Sequence, residues 1–185
     1  MNAALPSGAT GQPSMPARVS HARIMGWLDQ VMDPEVPVVS LVELGIAREA
    51  RLAPDGAVEI VLTPTYSGCP ATELIEQQAR AAVEAAVPGP VRVLTQRAPA
   101  WTTDWISAEG RRKLREYGIA PPGPVAAGQG VPIRLVRRGA AATAVDCPRC
   151  GSADTERLSA FGSTACKSLW RCRACREPFE HFKPI

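Results

Sequence analysis

The chain has 185 residues, 45% hydrophobic and 21% charged, with a formal net charge of +3. That suits one domain of ordinary size with a smaller appendage or long tails, with enough apolar residues for a sizeable core. So mild a positive charge gives no argument for nucleic acid or a membrane surface, and no apolar run approaches the roughly 20 residues of a membrane span.

Residues 1–18 are rich in Pro, Ser, Gly and Ala and lack both a basic start and a continuous apolar stretch, so they read as a disordered leader rather than a signal peptide. Without an export signal the six cysteines belong to a reducing compartment, the cytoplasm, where metal binding or catalysis outranks disulfides. From about His21 to Met32, Ile24, Leu28 and Val31 share one helical face, with Ser20 as N-cap and Asp33-Pro34 as the stop. The stretch on to Ile46 sets two prolines and two acids beside an apolar run and reads as an ordered loop. Its Asp33 and Glu35 either face the cysteine described next or simply end the helix in solvent.

A strand over about Gly45 to Leu52, the turn Pro54-Asp55-Gly56 and a second strand make a β-hairpin. In the second strand Val58, Ile60 and Leu62 alternate with Glu59, Val61 and Thr63, the period of a half-buried strand. Beyond it, Ala71, Leu74, Ile75, Ala79, Ala82, Val83 and Ala86 fall at helical spacing. Pro70 suits the first helical position, which places Cys69 at the N-cap. A thiol there meets unpaired N–H groups and the positive end of the helix dipole; both favour the thiolate, which can ligate a metal or attack as a nucleophile. The alternative is a buried cysteine that only packs. Pro88-Gly89-Pro90 ends this helix and Val91 to Arg97 is a third strand, joined by a right-handed crossover with parallel pairing. Residues 19–100 therefore read as an α-β-β-α-β unit of α+β class, two layers with a mixed sheet.

Residues 101–145 hold a helix and a linker. Trp101 and Trp105 are either a packing or docking surface or the cover of a sheet edge. The helix from Ser107 to Tyr117 carries Arg111, Arg112, Lys113 and Arg115, either a solvated basic face or a site for phosphate or an acidic partner. Ala120 to Gly130 is Pro/Gly/Ala-rich linker, and Arg134, Arg137 and Arg138 lead to the last module, residues 146–185. There Cys147-Pro148-Arg149-Cys150 and Cys172-Arg173-Ala174-Cys175 are two C-x-x-C knuckles about twenty residues apart, the spacing of a four-cysteine zinc site. So short a module buries little, and a metal supplies folding energy on the order of 10 kcal/mol. A closed tetrathiolate is structural, whether it holds zinc or iron. Cys166 is left over, as a spare buried thiol, a ligand or a redox residue.

Asp33-Pro34-Glu35-Val36-Pro37, Leu41 to Ile46, Leu62-Thr63 and Gly68-Cys69-Pro70 together resemble the iron–sulfur cluster assembly family of small α/β domains, over roughly Ser20 to Arg97. Phe161 to Lys167, the second knuckle and Phe179 to Ile185 are similar to a family of small accessory subunits of phenylacetyl-CoA epoxidase systems. The resemblance implies an accessory or maturation factor, not an enzyme. Its partners would be the reductase or di-iron subunit of the multicomponent phenylacetyl-CoA epoxidase of aerobic phenylacetate catabolism, and its task iron or cluster insertion. On that resemblance Cys69 matches the position of the family's ligand for transient iron or a cluster, Asp33 and Thr63 match positions near it, and zinc belongs to the ribbon. The residue inventory agrees. With only His21 and His181, neither three residues after a glutamate, the chain lacks the Glu-x-x-His pairs of a di-iron subunit, and it has no dinucleotide glycine fingerprint. One cysteine does not hold a cluster alone, so the cluster would be shared with a client or a second copy in a homodimer. Two other readings stand beside this one: a non-catalytic structural subunit of the oxygenase complex, and a nucleic-acid-binding zinc ribbon based on the two basic clusters.

Overall fold

The computed structural model describes residues 19–66, 68–123 and 145–185. The expected leader, the linker beyond 123 and Arg134, Arg137 and Arg138 lie outside the described residues. Helix α1 spans His21–Leu28, with the Ser20 hydroxyl accepting from the Arg23 N–H. It stops short of the expected Met32 because the following loop claims those residues: Met32 bridges to Ser40, Leu41 donates its N–H to the Val31 carbonyl, and the Ser40 hydroxyl donates to Asp29.

Strands β1 (Ala47–Leu52), β2 (Val58–Leu62) and β3 (Val91–Thr95) form a sheet in that order, β1 and β2 antiparallel and β2 and β3 parallel. The mixed α+β unit is thus as expected. Helix α2 spans Thr72–Glu84 and packs with α1 against the sheet, so that Ile24, Leu28, Ile75, Ala79 and Val83 share one core with Ile60 and Leu62. Burying such side chains is worth roughly 1.5–3 kcal/mol each. Gly45 has φ +69°, and a side-chain carbon there would meet Trp105 Cβ at 2.7 Å. Only glycine permits both.

After β3 come a 3-10 turn, Thr103–Trp105, and helix α3, Ala108–Tyr117, capped by the Ser107 hydroxyl. The two tryptophans take the packing alternative. Trp101 is buried and donates its indole N–H to the Leu44 carbonyl at 2.9 Å, while the Arg48 guanidinium lies 3.7 Å over Trp105. Most of the basic groups on α3 have partners in the chain. Arg112 pairs with Glu109 and Glu116, Lys113 Nζ meets Glu43 at 2.6 Å, and Arg111 donates to the carbonyls of Thr103 and Pro122.

The C-terminal module forms a second sheet that takes in a strand from before the linker. Strands β5 (Thr155–Ser159), β6 (Lys167–Cys172) and β7 (Pro178–Phe182) are joined by β4, Ile119–Ala120, in the order β4-β7-β6-β5. Ala120, expected to open the linker, is instead paired in parallel with His181. Phe182, 2% exposed, sits in the main core with its ring 5.9 Å from that of Trp101. The Ile185 carbonyl accepts from the Thr103 N–H and the Thr102 hydroxyl. These contacts press the last strand against the front unit.

Candidate functional site

Two groups of cysteines carry chemistry. In the ribbon, the sulfurs of Cys147, Cys150, Cys172 and Cys175 all lie within 4.8 Å of one another, with Cys147 and Cys175 at 3.7 Å and Cys150 and Cys172 at 3.6 Å. A tetrahedral ion with metal–sulfur bonds of about 2.3 Å sets its sulfurs about 3.8 Å apart, so the four fit one metal ion and leave no open position. The two knuckles are built alike. Cys147 N–H donates to the Ser152 carbonyl and Cys172 N–H to the Glu177 carbonyl, and the residue after each second cysteine is left-handed, Gly151 at φ +74° and Arg176 at +67°. The Cys175 N–H donates to Cys172 Sγ at 3.4 Å, a hydrogen bond that favours its thiolate, the form that binds metal. Little apolar material lies beneath: Ala120, Trp170 and Phe179.

Cys69 is not the N-cap. That position is Ala71, and α2 begins at Thr72. The Cys69 carbonyl accepts from both the N–H and the hydroxyl of Thr72, closing a turn of its own, so Pro70 sits in the turn rather than in the helix. The dipole effect fades within the first turn. Burial raises the Cys69 thiol above its ordinary value; a hydrogen bond from Ala71 opposes this, and the charges of Glu35 and Asp33 add to it. Where a stabilised thiolate is expected, burial and the neighbouring acids instead favour the neutral form of a half-buried thiol.

The loop after α1 brings both its acids to this thiol. Asp33 is buried, and its Oδ1 accepts from the N–H groups of Glu35 and Val36 at 2.9 and 2.8 Å, which folds the turn through Pro34. Burial pushes its carboxyl up against those hydrogen bonds. A narrow pocket runs between Asp33, Glu35, Val36, Cys69 and Phe182 and opens into a cleft of about 180 Å³ lined by Glu35, Tyr66, Cys69 and Pro70 on one side. Thr63 is elsewhere. It is buried, donates its N–H to the Ile46 carbonyl, and is absent from the lining. On the other side of the cleft stand Ser163, Thr164, Ala165 and Cys166, from the ribbon. Sequence reasoning left Cys166 without a place, since nothing local connects residues 69 and 166. Sulfur and carboxylate lining one cavity suit a thiophilic cation such as iron.

Comparison with known proteins follows the same division. Residues 21–95 match the family described as "Iron-sulfur cluster assembly protein", and residues 133–183 the "PaaD zinc beta ribbon domain". A protein of Escherichia coli (strain K12), named as a putative 1,2-phenylacetyl-CoA epoxidase subunit, designated D, is 47% identical over 162 residues, covering 88% of this chain and 92% of that one. The chain belongs to the PaaD family of phenylacetyl-CoA epoxidase subunits. A second relative, the "Fe-S protein maturation auxiliary factor" of Porphyromonas gingivalis (strain ATCC BAA-308 / W83), is 33% identical over 93 residues, 49% of this chain and 87% of that one. In this member of the PaaD family Cys69 falls within the first matched region and Cys166 within the second. Among its described residues no helix is long and apolar enough to cross a membrane.

Proposed function

We propose that this protein is a non-catalytic accessory factor of a phenylacetyl-CoA epoxidase, a cytoplasmic one that takes iron or an iron–sulfur cluster at the Cys69 cleft and passes it to the reductase or di-iron subunit. Zinc is the metal of the ribbon, and its role is structural. The observation that carries the reading is the half-buried Cys69, which lines the inner pocket with Asp33 and Glu35 and the cleft with Glu35, where soft and hard ligands meet but no imidazole does. His21 Nδ1 bonds the Ala50 carbonyl, and His181 is buried against Trp170. A nucleophilic cysteine enzyme needs a base at hydrogen-bonding reach of its thiol; a carrier needs only ligands and an opening. Asp33 shapes the loop and lends charge, and Thr63 steadies the end of β2.

The test replaces Cys69 with Ser in cells that make the epoxidase. All subunits should accumulate, one of them short of iron or cluster, with epoxidation strongly reduced. The name borne by the Escherichia coli relative favours a second reading, a structural subunit. Removing this protein from purified mature oxygenase separates the two: a carrier leaves activity intact, whereas turnover that depends on its continued presence establishes the subunit.

A further inference from the structure

Cys166 stands apart from the four ribbon cysteines, yet its position is tightly specified. The loop Phe161 to Lys167 is held at both ends: the Gly162 N–H donates to the Lys167 carbonyl at 2.8 Å, and the Lys183 N–H donates to the Cys166 carbonyl at 2.9 Å. In the middle, the N–H and hydroxyl of Ser163 both donate to the Glu180 carboxylate, which also pairs with the buried Lys167 at 2.8 Å. A side-chain carbon at Gly162 would collide with that same carboxylate. A lysine as enclosed as Lys167 requires a partner, and Glu180 supplies it. Its positive charge still acts on Asp33, Glu35 and Cys166, where it favours their ionised forms.

The loop so fixed presents Cys166 to the same cleft as Cys69 and Glu35. Thr164 Oγ1 lies 3.0 Å from Cys166 Sγ and orients it. Among the described residues only the ribbon cysteines already converge within 4.8 Å; the cleft groups stand further apart across an opening. Two sulfurs and a carboxylate lining one cleft form an incomplete ligand set, able to close on a thiophilic cation and still leave positions for a recipient's ligands.

We infer that Cys166, with Glu35, completes the Cys69 site, so that the cargo is held between the front unit and the ribbon. This rests on the carrier role proposed above. It assigns the leftover cysteine a ligand's task and gives the ribbon a part in binding as well as in folding.

The test uses the full chain with its ribbon zinc in place, without air. Ferrous ion is titrated into the wild type, Cys69→Ser, Cys166→Ser and Cys166→Ala, with zinc content followed throughout. Separately, phenylarsine oxide, which bridges two thiols that can reach one arsenic, is added and the linked peptides are identified by mass. The expected result is ferrous binding by the wild type, weakened at least about ten-fold by each replacement, the scale on which even the partners of metal ligands matter. Zinc should be unchanged, and an arsenic bridge should join the Cys69 and Cys166 peptides. If Cys69→Ser loses ferrous ion and both Cys166 variants keep it, the carrier reading stands and the inference falls. Wild-type affinity in all variants would sink both. If a Cys166 variant sheds zinc through misfolding, the bridge in the wild type decides: its presence supports the pairing and its absence overturns it.

Discussion

Replacing Phe182 with alanine tests whether the ribbon and the front unit stand as one body. Phe182 is 2% exposed, lies in the front core beside Trp101 and lines the inner pocket next to Asp33 and Cys69. Truncating a fully buried phenylalanine costs about 3–5 kcal/mol, part transfer and part cavity, and the tilted contact with Trp101 adds about 0.5–1.5 kcal/mol. Most of that falls on the main transition, because the ring is embedded among residues of the first unit rather than under the knuckles. With a urea slope of about 2 kcal/mol per molar, a loss of about 4 kcal/mol lowers the midpoint by about 2 M. The assay is urea unfolding of zinc-loaded protein, followed by tryptophan fluorescence and by far-ultraviolet circular dichroism, which should shift together. A fall in midpoint of less than about 0.5 M, or a shift in one signal only, would refute the shared core.

Removing the ribbon metal, by chelation or by Cys172→Ser, should release zinc and also raise protease cutting near Lys183, since β7 carries both a knuckle's neighbours and Phe182; an intact tail with full zinc in Cys172→Ser would overturn the four-cysteine assignment. Cys69→Ser should unfold within about 1 kcal/mol of the wild type, because Cys69 caps no helix and the change is nearly isosteric; a larger loss in urea unfolding would place it in the core instead. His181, 8% exposed, is held by burial at about 4 against an ordinary 6.5. The unfolded chain therefore takes up its proton first, and stability is lost as pH falls from 6.5 towards 4, by on the order of 3 kcal/mol. Unfolding free energies at several pH values should show this drop flattened in His181→Phe, and equal slopes in the two proteins would count against it.

The elements of the front unit were legible because each rests on local pattern. Alternation set β2, a 3.6-residue period set α2, Pro54-Asp55-Gly56 set the hairpin, and Ser20 capped the first helix. The knuckles were legible for a similar reason, as each pair of thiols converges from within one turn. Reading failed where a side chain or carbonyl chose between local partners. Cys69 beside Pro70 has the form of a cap, but its carbonyl closed a separate turn with Thr72, and the helix began later. Helix α1 ended early because Ser40 and Leu41, further along the chain, took the groups that another turn would have used.

The joining of the two modules is the part that no local pattern carries. It depends on the short strand β4, on one phenylalanine, Phe182, and on hydrogen bonds to the Ile185 carbonyl. None of these has a periodicity to detect. Yet they determine what Cys69 faces: the same strand β7 that seats Phe182 under the inner pocket carries Glu180, and Glu180 fixes the loop of Cys166. A metal that ties the knuckle before β5 to the knuckle between β6 and β7 thereby braces the hairpin that sets the far wall of the Cys69 cleft, through residues that are not themselves metal ligands. On the carrier role proposed above, the ribbon metal and the Cys69 cleft are coupled through one hairpin, which gives a closed tetrathiolate a reason to sit in such a protein.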